Sequence, residues 1–197
     1  ESVGMIRKMK ELGYQRIITT PHIMWDMYKN TPEIILSGLE KVREACKVEG
    51  LDIRVDAAAE YFIDEHFVKM LQHGEQLLTL PGNRLLVELP YSTPLLNASE
   101  TLFSIIGYGF IPVLAHPERY NYFHAEPSIY RKLRDQGCEL QLNILSVTGN
   151  YGPGVEKIAN WLLQENLVSL LGTDAHRMQH LQKINQTTGR KLLKHYK

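Results

Sequence analysis

The sequence predicts an α/β fold in the form of a TIM-like β/α barrel, and three observations carry that prediction. Six short strand-like runs alternate with runs of helical apolar spacing, a helix stands ahead of the first strand, and nearly every strand end carries a histidine, carboxylate or amide.

The first helix follows from Val3, Met5, Ile6, Met9 and Leu12 at helical spacing, with Gly13 as its stop. Arg16 to Thr20 then reads as a short buried strand leading into Pro21-His22. Thr31-Pro32-Glu33 opens a second helix with an N-cap and a first-turn proline, and its stripe of Ile35, Leu36, Leu39, Val42 and Cys46 runs to Gly50. Asp52 to Tyr61 is the second strand, and Asp64 caps a helix ending near Gly74. Further strands are expected at Arg84 to Leu89, Phe110 to Ala115, Glu139 to Leu145 and Leu167 to Gly172. The helices between them cover Asn97 to Gly107, Ser128 to Gln136 and Val155 to Asn166, and a final helix spans Leu181 to His195. A leading helix with no strand before it suggests a barrel, or an open α/β sheet, whose first strand is missing. The 197 residues suit a single domain, 1–197.

Composition narrows the function. Lysine plus arginine equals aspartate plus glutamate at 22 each, so no bulk positive field exists to hold nucleic acid. No apolar run approaches the roughly 18 residues of a membrane helix. Cys46 and Cys138 lack C-x-x-C spacing, which points to a reducing, cytoplasmic setting.

In parallel β/α architectures the strand carboxyl ends converge on one face. Read in order, those ends carry His22, Glu60, Glu88, His116, Asn143, and Asp174 with His176, each step being roughly 30 residues, about one β/α unit. Imidazole and carboxylate are ligands that zinc, manganese and iron accept, and a carboxylate can bridge two ions. Any one such residue is more often an ordinary hydrogen-bonding group; their joint recurrence favours a multinuclear metal site. Glu88 lies within the apolar run Leu85-Leu86-Val87-Glu88-Leu89-Pro90, where an unpaired carboxylate costs several kcal/mol, so a cation or an arginine must face it. Ala115-His116-Pro117-Glu118-Arg119 adds a guanidinium whose planar fork matches phosphate oxygens. In Thr173-Asp174-Ala175-His176, an extended backbone puts Asp174 and His176 on the same side.

Thr20-Pro21-His22, Ala59-Glu60-Tyr61, Val87-Glu88-Leu89-Pro90, Ala115-His116-Pro117-Glu118-Arg119 and Thr173-Asp174-Ala175-His176 together resemble the successive metal motifs of the polymerase-and-histidinol-phosphatase (PHP) superfamily. The resemblance covers the whole chain and is nearest to the bacterial protein-tyrosine phosphatases of capsular and exopolysaccharide synthesis. It implies a distorted, seven-stranded β/α barrel with a cluster of up to three divalent ions, commonly manganese, with iron and zinc as alternatives. By motif, His22, Glu60, Glu88, His116, Asp174 and His176 are the implied metal ligands. Arg119 is the implied phosphate-binding residue, and with His116 and Glu88 it forms the implied catalytic set. The implied substrate is the phosphotyrosine tail of a bacterial tyrosine kinase. The family's first strand carries an H-x-H pair, followed by an aspartate in a D-D-G turn; both are expected ahead of Glu1. A second phosphate-binding arginine is expected past the last ligand pair, with Arg177 the nearest candidate.

Cysteine-based tyrosine phosphatase chemistry requires an arginine six positions after the nucleophile, where this sequence has Asp52 and Ile144. The remaining classes are a PHP phosphatase of a small monoester such as histidinol phosphate and a catalytically silent PHP binding module. Trp25, Tyr28, Tyr61, Phe62, Tyr91, Tyr120, Tyr122 and Phe123 cluster near the strand ends, either as loop packing or as a rim for a phosphotyrosine ring. His66, His73, His124, His180 and His195 read as surface or packing residues, and Lys191, Lys194 and Lys197 as a solvated helix face.

Overall fold

The computed structural model describes residues 1–96 and 98–184. Helix α1 (Ser2–Glu11) leads into β1 (Arg16–Thr19) and β2 (His22–Ile23), followed by α2 (Pro32–Val48), β3 (Arg54–Ala57), β4 (Glu60–Phe62) and α3 (Glu65–Gln72). Then come β5 (Arg84–Glu88), α4 (Ala98–Gly107), β6 (Ile111–Ala115), α5 (Ser128–Asp135), β7 (Glu139–Asn143), α6 (Pro153–Gln164), β8 (Leu170–Gly172) and α7 (Met178–Ile184). Short 3₁₀ turns at Pro117–Arg119, Asn121–Phe123 and Ile144–Thr148 follow β6 and β7. None of the helices described is long and apolar enough to cross a membrane.

All strand pairs are parallel, in the order β2-β4-β5-β6-β7-β8, with β1 paired to β3. Each strand of the larger sheet lies beside the next in sequence, so the order never reverses and the sheet curls as a half-barrel. That order excludes the doubly wound alternative, which turns back at a switch point.

The second expected strand is broken in two, and the first is continued past Pro21 by a further short strand, β2. Pro21 has no N–H to donate, and the chain opposite it turns so that Ala59 N donates to Leu78 O at 3.2 Å. Pairing continues on either side, through Ala58 N to Thr19 O at 2.9 Å and Glu60 N to Pro21 O at 3.1 Å. His22 and Glu60 therefore begin β2 and β4 rather than ending longer strands, and they stand opposite one another in register.

The period-two alternation of the central strands divides their side chains between two layers. Leu85, Val87 and Leu89 join Leu114, Leu140, Phe67, Tyr130 and Leu162 in the large core under the helices. Leu86 points the other way, into a small cluster with Ala58, Leu80, Val113 and Ala115 that fills the curl. Both faces are covered by apolar contacts, which is why these strands read as unbroken apolar runs. Glu88, two residues after Leu86, shares its face and so points into the curl.

Helix ends follow their sequence signals. Thr31 Oγ1 accepts from Ile34 N at 3.4 Å, and Asp64 Oδ1 accepts from Phe67 N at 2.8 Å. Gly50 and Gly74 follow α2 and α3 with φ of +64° and +63°. Leu181 and Ile184 of α7 are buried against Ile144 and Leu145. The rest of the expected final helix, with Lys191, Lys194, His195 and Lys197, lies outside the described residues.

Asp64 also accepts from Trp25 N through Oδ2 at 3.2 Å, so it ties the loop after β2 to the start of α3. Asp64→Ala is expected to lower folding stability by about 1 kcal/mol, the usual loss for an N-cap, seen as a lower urea midpoint with an unchanged m-value.

Candidate active site

Glu88 closes an apolar strand, is 2% exposed, and has three side chains of complementary chemistry around it. His22 Nδ1 lies 3.4 Å from Glu88 Oε2 and 4.0 Å from Glu60 Oε1. His116 Nε2 lies 3.1 Å from Glu60 Oε1 and 3.5 Å from Glu88 Oε1. Ligand atoms of His22, Glu60 and Glu88 all fall within 4.8 Å of one another. Tyr91 stacks on the His116 ring at 5.4 Å, its hydroxyl 3.2 Å from Nε2.

The electrostatics of this quartet are tightly linked. The close approach of Glu88 raises the His22 pKa, burial opposes the rise, and the charge of Glu60 adds to it. Burial opposes ionisation of Glu88, but His22 and His116 together outweigh it and hold its pKa below the usual carboxylate value. Burial would lower the His116 pKa, yet its hydrogen bond to Glu60 and the charges of Glu60 and Glu88 raise it. Even so, His22 Nδ1 and Glu88 Oε2 are fully buried without a hydrogen-bond partner. Such orphaned atoms are costly, and facing nitrogen and oxygen donors at these separations suit a divalent ion with ligand bonds of about 2.0–2.2 Å. The donor set fits a divalent metal.

A second group comes from the ends of β6, β7 and β8. Arg119 NH1 donates to Asp174 Oδ2 at 2.8 Å, and its guanidinium is sandwiched between the rings of Tyr91 and Tyr151 at 4.8 and 4.6 Å. Asn143, the last residue of β7, donates through Nδ2 to the same Asp174 oxygen at 3.1 Å and to the Tyr151 hydroxyl at 3.2 Å. His176 Nδ1 is 3.3 Å from Asp174 Oδ1, and the His176 ring stacks toward His22 at 6.0 Å, joining the two groups. The Asp174–His176 pairing does not arise from extended backbone: β8 ends at Gly172, and Asp174 has φ +46°. His116 is also left-handed, at φ +34°. Such conformations cost a non-glycine residue about 1–3 kcal/mol and persist where neighbours over-determine them. At His116 the neighbours are Gln141 O, accepting from its N–H at 2.8 Å, and the rings of Tyr91 and Tyr120.

Most of these residues line an open cavity of about 610 Å³, with Glu60 and Asn143 behind its wall. Its wall includes His22, Glu88, Tyr91, His116, Arg119 and Asp174. A curled parallel sheet with this cavity at its strand ends has the layout of a barrel enzyme. The model of the family described as "Capsular polysaccharide synthesis, CpsB/CapC" matches residues 1–197. The chain belongs to the CpsB/CapC family.

Among CpsB/CapC relatives, the tyrosine-protein phosphatase YwqE of Bacillus subtilis is 27% identical over 180 residues, covering 91% of this chain and 70% of that protein. The tyrosine-protein phosphatase CpsB of Streptococcus pneumoniae is 27% identical over 184 residues, covering 90% and 75%. A crystal structure from work on these same two proteins, described as unique metal-dependent tyrosine phosphatases, superposes with a TM-score of 0.83. It is 25% identical, and the match covers 98% of this chain and 83% of that one. The phosphotriesterase homology protein of Escherichia coli, solved with phosphate in its active site, shares the fold alone, at a TM-score of 0.53 and 14% identity.

Several site features differ from the sequence reading. His180, read as a packing residue, lines the cavity and faces Arg177, whose Nε donates to its Nε2 at 3.0 Å. Burial lowers the His180 pKa. Of the two readings of the strand-end aromatics, packing holds for Tyr61 and Tyr120, which are fully buried: Tyr61 OH accepts from Leu78 N at 2.8 Å, and Tyr120 OH accepts from Leu89 N at 3.0 Å. Tyr151 and Glu118 were missed. Glu118 is wholly buried, accepting from Ser146 Oγ at 2.6 Å and Asn143 N at 3.1 Å, and so fixes the end of β7 to the His116–Arg119 turn. Its signal was a charge between Pro117 and Arg119 in a segment otherwise read only for His116 and Arg119.

The cysteines stand apart from this chemistry. Both are buried and free, and burial pushes the Cys138 thiol up to about 12. Since the thiolate is the reactive form, iodoacetamide at pH 8 is expected to leave Cys138 unmodified in the folded protein and to alkylate it in urea, as read by mass spectrometry.

Proposed function

We propose that this chain is a metal-dependent protein-tyrosine phosphatase acting in capsular or exopolysaccharide synthesis, and that residues 1–197 act as one domain. The observation that carries the proposal is the pair of buried, unpartnered ligand atoms, His22 Nδ1 and Glu88 Oε2, facing Glu60 and His116 beside a cavity that also holds Arg119. The names of its relatives, YwqE and CpsB, support the phosphotyrosine specificity.

In this reading His22, Glu60, Glu88, His116, Asp174 and His176 hold divalent metal, with manganese the preferred ion. When bound, such ions supply Lewis acidity toward phosphoryl oxygens and a water acidic enough to serve as nucleophile near neutral pH. Arg119 neutralises charge on the equatorial phosphoryl oxygens, the main requirement of phosphoryl transfer. Tyr91 and Tyr151 hold its guanidinium plane fixed between them, and Asp174 fixes its direction. Among the described residues, the Arg119 guanidinium's one hydrogen bond is to Asp174, so other N–H donors of the fork remain for phosphate. The phenolate leaving group, with a pKa near 10, departs with less need of a proton than an alkoxide.

Tyr91 is suited to sit beside this charge without titrating. Burial, with Glu88 next, raises its pKa, so it stays a phenol whose hydroxyl orients His116. The finer assignments belong to the same proposal: a cytoplasmic setting and, as substrate, the phosphotyrosine tail of a bacterial tyrosine kinase that regulates capsular or exopolysaccharide synthesis.

Titration calorimetry with Mn²⁺ is expected to show binding that His22→Ala and Glu88→Gln weaken at least tenfold. Hydrolysis of a phosphotyrosyl peptide is expected to stop with EDTA, return with Mn²⁺, and fall by about 10²–10³ in kcat for Arg119→Ala, the range for loss of a transition-state donor. Tight Mn²⁺ binding unchanged by both ligand substitutions would exclude these residues as the metal site.

A further inference from the structure

The loop after β2 is a closed turn from Met24 to Tyr28. Met24 N donates to Tyr28 O at 3.2 Å, Tyr28 N returns a bond to Met24 O at 2.7 Å, and Met27 N donates to Met24 O at 3.1 Å. Its outer side is anchored by Trp25, whose N–H donates to Asp64 and whose ring stacks on His66 at 4.0 Å. Lys29 Nζ lies over the Trp25 ring, 5.6 Å from its centroid, and Asn30 Nδ2 donates to His22 O at 2.8 Å. Its inner side presents Met24, Met27 and Tyr28 to the cavity that holds His22, Glu88, His116 and Arg119. Tyr28 stacks on His22 at 5.6 Å and 20°, extending the row formed by His22 and His176. Met27 is 69% exposed and Tyr28 49% exposed, while Trp25, earlier in the turn and 39% exposed, rests its ring on His66. Two large apolar side chains thus stand in solvent on a turn cross-braced by its own backbone, so their exposure does not come from a loose loop.

The cavity is chemically divided. Arg119, Arg177 and Lys183 are cationic, whereas the turn contributes a thioether, a second thioether and a phenol ring. A phosphate drawn to Arg119 and the His/Glu cluster leaves the group it is esterified to against the remaining wall. For a phosphotyrosine that group is a flat aromatic ring, which pairs favourably with both methionine sulfur and another ring. For a phosphoserine it is one methylene, which leaves the methionines exposed.

We infer that Met24, Met27 and Tyr28 form the subsite for the aryl ring of the substrate and so determine the preference for aryl over alkyl phosphate esters at this site. The inference rests on the reading of the cavity as a phosphoester site and adds the side chains that read the leaving group. Trp25, by contrast, is the brace that holds the turn in place.

Six methionines are present, and the buried Met70 in α3 serves as an internal reference. With [methyl-¹³C]methionine protein loaded with diamagnetic Zn²⁺, a peptide carrying phosphonomethyl-phenylalanine is expected to shift the Met24 and Met27 methyl signals upfield by ring current. The same peptide carrying the phosphonate analogue of phosphoserine is expected to leave those signals in place, and Met70 is expected to move with neither. In calorimetry, Met27→Ala is expected to weaken the aryl ligand about threefold to tenfold, the range for loss of one ring contact, and to shrink the ratio of aryl to alkyl affinity. Binding of both ligands with unmoved Met24 and Met27 signals overturns the subsite while leaving the phosphoester reading intact. Binding of neither ligand overturns both.

Discussion

The carboxylate of Glu88 sets the conditions that the rest of the site meets. It ends a strand whose residues Leu85 to Val87 are packed among apolar side chains on one face or the other, and at 2% exposure it has almost no water to solvate it. An ionised carboxylate left there alone costs several kcal/mol. The fold answers by bringing an imidazole from the start of β2 and another from the turn after β6 to its two oxygens, with Glu60 closing the ring of charge. Even this is incomplete as a protein-only network, because an oxygen of Glu88 and a nitrogen of His22 stay unpartnered. A divalent ion accepts lone pairs from both nitrogen and oxygen, so it fits this donor set.

The backbone is distorted where the site needs it. His116 and Asp174 both occupy the left-handed region, each immediately or shortly past the end of its strand. The cost is offset by local packing: His116 between Tyr91 and Tyr120, Asp174 between Arg119, Asn143 and His176. Arg119 then lies against two tyrosine rings, its guanidinium tied to Asp174, rather than on a free stem. Membership in the CpsB/CapC family and the superposition on a structure described as a metal-dependent tyrosine phosphatase agree with this layout.

Much of the fold could be read from the chain because its signals are local. Apolar periodicity, the Thr31-Pro32 and Asp64 caps and the glycine stops depend on neighbours a few residues away, and these helices form where expected. The interruptions at Pro21 and at Ala58-Ala59 were harder. Ala58-Ala59 looks like strand interior in composition, and only its pairing against Thr20-Pro21 makes the missing proline N–H matter. The same holds for His180, whose spacing marks an ordinary helix residue until α7 is seen to pass the cavity mouth. Aromatic composition was equally ambiguous: Tyr120 and Tyr91 are both tyrosines near strand ends, yet one is sealed in the core and the other lines the cavity.

By itself, the sequence determined the alternation of strands and helices, the parallel β/α units that this alternation implies, and which residues could carry metal and phosphate chemistry. Those follow from periodicity and from the chemical nature of histidine, carboxylate and guanidinium, which no packing alters. The tertiary structure alone decided which of them meet, that Asp174 is engaged by Arg119 as well as by His176, that Tyr151 and Tyr91 clamp the guanidinium, and that the Met24–Tyr28 turn faces the cavity. These are contacts between residues up to tens of positions apart. They depend on strand register and on backbone direction at a few left-handed residues, and neither leaves a mark in the local pattern of the chain.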